Sequence, residues 1–204
     1  MNPLGKQWIP STSTIDRRLL AATERLLIDG ATFTEIGMQQ ICTEAGVARS
    51  TFYSHFRDKT TLLLRLATEL LGSSFDITSA WQPAGGVDRL AEVFTEVVTI
   101  YRQHATVRRA LAEVAAYDPA VRQFCTERID QFIDGTAMML RTEQEAGRIP
   151  AGLDPVCAAR LIVLGGEQAI VDHVTTTTDP RSDSTFAGEL ARTWWYGVYH
   201  RPAR

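Results

Sequence analysis

A chain of 204 residues with 45% apolar and 22% charged side chains has the composition of a packed globular protein, which excludes collagen-like, mucin-like and disordered readings. Its formal charge of −3 gives no global basic balance that would advertise a nucleic-acid partner. The charge is uneven, with one more basic than acidic side chain in residues 1–72 and the acidic excess in the remainder.

Cys42, Cys125 and Cys157 are odd in number and far apart, which suits a reducing compartment better than a disulfide framework. Trp8-Ile9 is followed at once by Pro10, leaving no apolar core of signal-peptide length. No apolar run approaches the ~18 residues a membrane span requires. The expected location is the cytoplasm, with no membrane partner.

Nearly every segment carries helical periodicity. Residues 1–12, with Pro3, Gly5 and Pro10, read as a flexible arm. Ser13 then offers an N-cap with Asp16 as the capping-box partner, and Ile15, Leu19, Ala22, Leu26 and Leu27 form one apolar stripe up to Gly30. A very short helix follows over 37–46, with Gly37 at its N-cap and Gly46 breaking it. A third runs from about Arg49 to Phe56. Asp58 caps a fourth, whose Leu62, Leu63, Leu66 and Leu70 recur at helical spacing until the pattern loosens after Gly72.

Helix returns at Leu90, Phe94, Val97 and Tyr101 and again over 106–117. Pro119 to Ala146 reads as one long helix, Asp154 opens another, and the last covers about Ser184 to Tyr199. The expected architecture is all-α with about nine helices. It comprises a helix-turn-helix unit at 13–58 and a second helical domain at 59–204.

Two helices of under three turns joined by Ala45-Gly46-Val47 are too short to stand alone and must be held by their neighbours. A short helix, a tight glycine turn and a second short helix make a helix-turn-helix, or else a plain αα-corner in a helical core. What lies on the second helix suits DNA, with the first helix crossing the backbone. Arg49 suits a bidentate contact to guanine, and Ser50, Thr51, Tyr53 and His55 suit phosphate oxygens or a thymine methyl. Gln39 and Thr43 on the preceding helix join this candidate face. Lys59, in the first turn of the fourth helix, is expected to meet a phosphate together with free backbone N–H groups. Phe52 and Phe56, four apart, are the expected buried anchors. Arg17, Arg18 and Arg57 add basic charge to the same unit, though the first two suit a solvated helix face equally well.

The stretch Gly46-Val47-Ala48-Arg49-Ser50-Thr51-Phe52-Tyr53-Ser54-His55-Phe56-Arg57-Asp58-Lys59, followed by Leu62-Leu63, resembles the signature of the tetracycline-repressor (TetR) family. With Phe33, Ile36, Ile41 and Ala45 the resemblance covers residues 13–71. It implies a homodimeric transcriptional regulator, usually a repressor, that leaves operator DNA on binding a small molecule. Tyr53, His55 and Lys59 match the family's backbone-contacting positions, and Arg49, Ser50 and Thr51 its variable base-reading ones. Gly37 and Ala48 depart from the pattern, standing where the family usually has hydroxyl residues. No side-chain contact carries over to them. The Trp194/Tyr199 ending and Gly165-Gly166-Glu167 are similar to the ethionamide-resistance type of repressor, a subgroup with a long aromatic-lined tunnel.

In the second domain Phe94, Tyr101, Phe124, Phe132, Met139 and Trp194 suit either a packed core or an apolar cavity, with Thr136 and Glu167 as its polar groups. A neutral or weakly polar lipophilic effector is expected there. The resemblance makes the last two helices the dimer surface. Leu161, Leu164, Gly165 and Gln168 would form one side of the seam, and Phe186, Leu190, Thr193 and Gly197 the other. A two-fold interface would make the double-stranded DNA operator a near-palindrome. No metal-ligand spacing, phosphate-binding glycine loop or nucleophile elbow is present, so neither a cofactor nor catalysis is expected.

Overall fold

The computed structural model describes residues 13–200, and the expected arm at 1–12 lies outside them. Among the described residues there are nine α-helices, two single 3₁₀ turns and no strand. The compact units divide between Leu66 and Ala67, whereas the sequence reading divides the chain at residue 58.

The first unit holds α1 (Thr14–Ile28), α2 (Met38–Ala45), α3 (Arg49–His55) and the opening turns of α4 (Lys59–Ala80). Ser13 and Asp16 close the capping box on α1, each side chain accepting from the other's backbone N–H at 3.0 Å. Helix α2 ends in the left-handed conformation at Gly46, φ +64°, where a side chain would be strained and its Cβ would also meet the Arg18 guanidinium at 2.8 Å. This glycine sets the angle at which α3 leaves α2. Phe52 has no exposed surface and Phe56 little, and their rings lie 5.8 Å apart. They seat α3 with Leu19, Phe33, Ile36, Ile41 and Leu62, all buried. At roughly 1.5–3 kcal/mol per buried large side chain, this core stabilises helices too short to persist alone.

Helix α4 runs on to Ala80, well past Gly72 where the sequence pattern loosens. Burial accounts for the difference. Leu71 and Ser74 are buried, and the glycine lies 3.7 Å (measured from a notional Cβ) from the Arg128 guanidinium, so a helix-disfavouring residue is held by packing.

The second unit continues with α5 (Gly86–Gln103), α6 (Ala105–Ala115), α7 (Pro119–Glu145), α8 (Pro155–Thr176) and α9 (Asp183–Tyr199). Asp118 and Asp154 accept backbone N–H groups at the starts of α7 and α8, each followed by a proline whose missing N–H costs nothing there. Ala187, Gly188 and Ala191 are buried on α9, and Val93 and Phe94 on α5 pack in the same cluster. Small residues on one side and large ones on the other let these two helices pack closely. A second cluster joins Ile133, Ala137 and Leu140 of α7 to Ala159 and Val163 of α8. No described helix is long and apolar enough to cross a membrane.

Candidate functional site

Arg49, Ser50 and Tyr53 lie on the exposed side of α3, opposite Phe52, with Thr51 partly exposed beside them. The spacing 49, 50 and 53 is one face of a helix, so a positive fork, a hydroxyl and a phenol point away from the core together. Gln39 and Thr43, one turn apart on α2, are exposed, and the Gln39 amide donates to the Thr43 hydroxyl at 3.4 Å. These exposed side chains have the donors and acceptors that base edges and phosphates require.

Two residues assigned to that surface have further duties. His55 Nδ1 donates to Asp16 Oδ1 at 2.6 Å, tying the end of α3 to the start of α1. Its remaining ring nitrogen accepts in the neutral form and donates to a phosphate only when the ring is protonated. Burial works to raise the Asp16 pKa, but hydrogen bonds from Ser13 and His55 outweigh it and hold the carboxyl below the usual range.

Lys59 is engaged within the chain. Its ammonium donates to the carbonyls of Phe33, Thr34 and Ile36 at 2.9, 3.0 and 3.1 Å and lies 5.1 Å from the Phe33 ring centroid. Its three donors meet the turn before α2, so the side chain fastens that turn. Arg18 likewise donates to Gly46 O at 2.8 Å, and Arg25 pairs with Glu44. Both draw α1 onto α2.

In the second unit a cavity of about 40 Å³ is walled by Phe75, Phe94, Tyr101, Phe132 and Trp194, with Glu167 as its charged group. Phe75 meets Phe132, and Phe94 meets Trp194, edge to face at 5.6 Å each. The Arg108 guanidinium lies 4.1 Å from the Tyr101 ring centroid and bonds Glu167 at 3.2 Å. Burial raises the Tyr101 phenol to about 12 against the opposing pull of Arg108, so the hydroxyl stays protonated.

Five of the eight residues assigned to a cavity from sequence are therefore on its wall: Phe94, Tyr101, Phe132, Glu167 and Trp194. Phe124 instead lies under the Arg128 guanidinium, 5.8 Å away, and Thr136 is buried inside α7's own packing. Met139 borders a neighbouring void of about 10 Å³ that shares Ile162 and Trp194 with the main cavity. The sequence reading missed Ser74, Phe75 and Thr78. Their spacing continues the apolar stripe of α4, a signal hidden by ending that helix near Gly72.

On α8, Leu161 is 76% exposed and Leu164 44%, and Gly165 and Gln168 are exposed on the same stripe. On α9, Thr193, Tyr196 and Gly197 are exposed. Phe186 and Leu190, expected in this seam, face inward. Phe186 stacks on His173 at 4.1 Å and Leu190 lines the cavity. Part of their apolar surface packs within the chain, and both remain partly exposed.

Residues 19–66 match the family described as "Bacterial regulatory proteins, tetR family", and residues 90–200 match "Transcriptional regulator EthR, C-terminal domain". The chain is 25% identical over 196 residues to the HTH-type transcriptional regulator EthR of Mycolicibacterium smegmatis, spanning 93% of this chain and 88% of that protein. Among solved structures it is similar to Salmonella enterica GusR, with TM-score 0.74 and 19% identity over 95% of this chain and 99% of that one. It is also similar to a protein from Saccharomonospora viridis solved in complex with choline, with TM-score 0.71 and 19% identity over 91% and 98%. With a TetR-type helix-turn-helix followed by an EthR-type C-terminal domain over more than half its length, the chain belongs to the TetR family of transcriptional regulators, in its EthR-like branch.

Proposed function

We propose that this protein is a cytoplasmic homodimeric repressor that holds a near-palindromic operator and lets go when a lipophilic small molecule enters the second unit. The observation that carries the DNA half is the outward row of Arg49, Ser50 and Tyr53 on a helix anchored by Phe52 and Phe56. Two such helices, one per protomer, would read successive major grooves on one face of the duplex.

The exposed Leu161, Leu164 and Tyr196 support a dimer, because large apolar side chains on neighbouring helices are otherwise costly to leave in water. Gly165 and Gly197 would let the paired helices approach closely. Ligand coupling rests on α4, which carries Lys59 of the DNA unit at one end and Ser74, Phe75 and Thr78 of the cavity wall at the other. An effector that binds better when α4 is displaced would lower operator occupancy by that difference in affinity. The three free thiols suit the cytoplasm.

A second reading has its own support. The cavity's 40 Å³ is small beside the several hundred Å³ of a typical ligand pocket, so an effector must part the aromatic walls to enter. A regulator with a filled, silent core would bind DNA and never respond. The organic cation in the Saccharomonospora viridis structure favours a responsive cavity.

The test is selection and sequencing of genomic fragments bound by the purified protein at near-physiological salt. One enriched near-palindrome beside a promoter supports the regulator, and loss of that enrichment in Arg49→Ala assigns the reading helix. A thermal-shift screen of small molecules then separates the responsive from the silent cavity. Salt-sensitive binding with no enriched sequence would overturn the operator reading.

A further inference from the structure

Among the described residues, one buried side-chain polar atom has no hydrogen-bond partner, the indole nitrogen of Trp81. Trp81 closes α4 and is only 8% exposed. Its ring meets Trp195 edge to face at 6.2 Å, which fixes the indole plane. A buried indole N–H ordinarily finds an acceptor, because an unmade hydrogen bond there is a cost with no return in packing.

The surroundings of this nitrogen differ from a closed core. Trp81 lines a depression of about 240 Å³ bounded by Ile77, Gln82, Gly85, Arg89 and Val93. Gly85 faces the indole nitrogen, and a Cβ there would lie 3.8 Å from Nε1. The Arg89 stem lies beside Gly85, but its guanidinium is half exposed and tied to Glu92 on its own helix, so the outer part of the side chain can swing aside at little expense. On its other side Trp81 borders the small void that shares Ile162 and Trp194 with the main cavity. The unpaired donor itself has no accessible surface and lies behind Gly85, while its ring borders the depression on one side and the aromatic interior on the other.

We propose that Trp81 Nε1–H is the donor of a ligand subsite that takes the acceptor oxygen of a neutral lipophilic molecule, a ketone, ester or amide, in the depression between the end of α4 and the start of α5. The inference deepens the effector reading above and rests on it for its biological purpose. Its chemistry needs the orphaned donor, a shift of the Arg89 side chain that opens it to the depression, and the apolar walls. A carboxylate would fit less well, because Glu92 and Glu96 already surround Arg89.

The experiment compares butyrophenone with butylbenzene, two probes of similar size and shape that differ in the carbonyl acceptor. Binding to the full chain is followed by the ¹H–¹⁵N resonances of its indoles, assigned with Trp81→Phe. The expected result is that butyrophenone moves the Trp81 indole proton downfield and binds about tenfold more tightly than butylbenzene. Trp81→Phe should remove that tenfold preference for butyrophenone over butylbenzene; tenfold corresponds to ~1.4 kcal/mol, the scale of one hydrogen bond. Equal affinity for the two probes, an unmoved Trp81 resonance at saturation, or no binding of either probe would each overturn the proposal. Should Trp81→Phe fail to fold, the resonance of the unmodified protein still decides it. Operator release is measured separately. Release without any Trp81 shift sinks this subsite alone, and a Trp81 shift without an operator sinks the regulator reading alone.

Discussion

Arg102 and Asp183, 81 positions apart, meet in a two-pronged pair in which Nε donates to Oδ2 at 2.8 Å and Nη2 to Oδ1 at 2.6 Å. The remaining arm of the guanidinium donates to Thr177 O at 2.7 Å, and His173 Nε2 meets Asp183 Oδ1 at 2.9 Å. One carboxylate thus binds the end of α5, the end of α8 and the first turn of α9. Asp183 is nearly buried, so removing one partner strands a charge. Arg102→Ala is expected to destabilise the second unit by about 3 kcal/mol, read as a lower urea midpoint at unchanged slope. Replacing both, as Arg102→Met with Asp183→Leu, should recover part of that loss, because the pair's attraction largely offsets its desolvation.

The same pair sets an acid limit. The Arg102 hydrogen bond holds the Asp183 carboxyl below the usual range, with burial opposing and His173 adding to the effect. Glu143, buried beside Arg148 and the Tyr199 hydroxyl, is held low in the same way. A carboxyl whose folded pKa is depressed contributes stability above its unfolded value, about 4, and that contribution is lost as the pH falls through the folded pKa. Urea midpoints should therefore be insensitive to these groups from pH 7 to 5 and fall below about pH 4. Asp183→Asn should start lower at pH 7 and show a shallower acid limb. A limb as steep as that of the unmodified protein would remove Asp183 from this account.

Which features the sequence reveals follows from how local their causes are. The capping box at Ser13 and Asp16, the left-handed Gly46 and the Phe52/Phe56 anchor each depend on residues within a few positions, so the first unit is legible almost residue by residue. The cavity wall is not. Phe124 and Phe75 are both phenylalanines on amphipathic helices and Arg128 covers both rings, at 5.8 and 5.0 Å, so only the meeting of Phe75 with Phe132 separates the one on the wall from the other. Lys59 shows the same limit from the other side. Its place at a helix start suggests an anion, but Phe33, Thr34 and Ile36 present three carbonyls from a turn more than twenty positions earlier.

That distinction predicts opposite behaviour for two basic residues of the first unit. Arg49→Ala should leave the unfolding midpoint within ~0.5 kcal/mol of the unmodified protein, since its side chain is exposed. Operator affinity should nonetheless fall by about 1–3 kcal/mol, with relaxed preference at one base pair. Lys59→Met should do the reverse. It leaves three carbonyls without their donor and lowers stability by roughly 1–3 kcal/mol, while the salt slope of the remaining binding changes by less than about one unit. A full unit of slope lost with Lys59→Met would restore the lysine as a phosphate contact.

The exposed stripe of α8 yields the last prediction. Leu161 is 76% exposed and makes little use of the chain's own core, so a charge there costs the monomer's fold almost nothing. Across a two-fold axis the same side chain would face its own copy or a neighbour on α9, and a buried unpaired carboxylate is expensive. Leu161→Glu combined with Leu164→Glu should therefore convert a dimer to a monomer in sedimentation equilibrium, with helical circular dichroism unchanged. Operator binding should fall far more than a phosphate contact would explain, because each protomer would then read one half-site alone. By contrast, Phe186→Glu should unfold the second unit instead of separating protomers, since its ring stacks on His173 within the chain. A folded, monomeric Phe186→Glu protein would move the interface toward the start of α9.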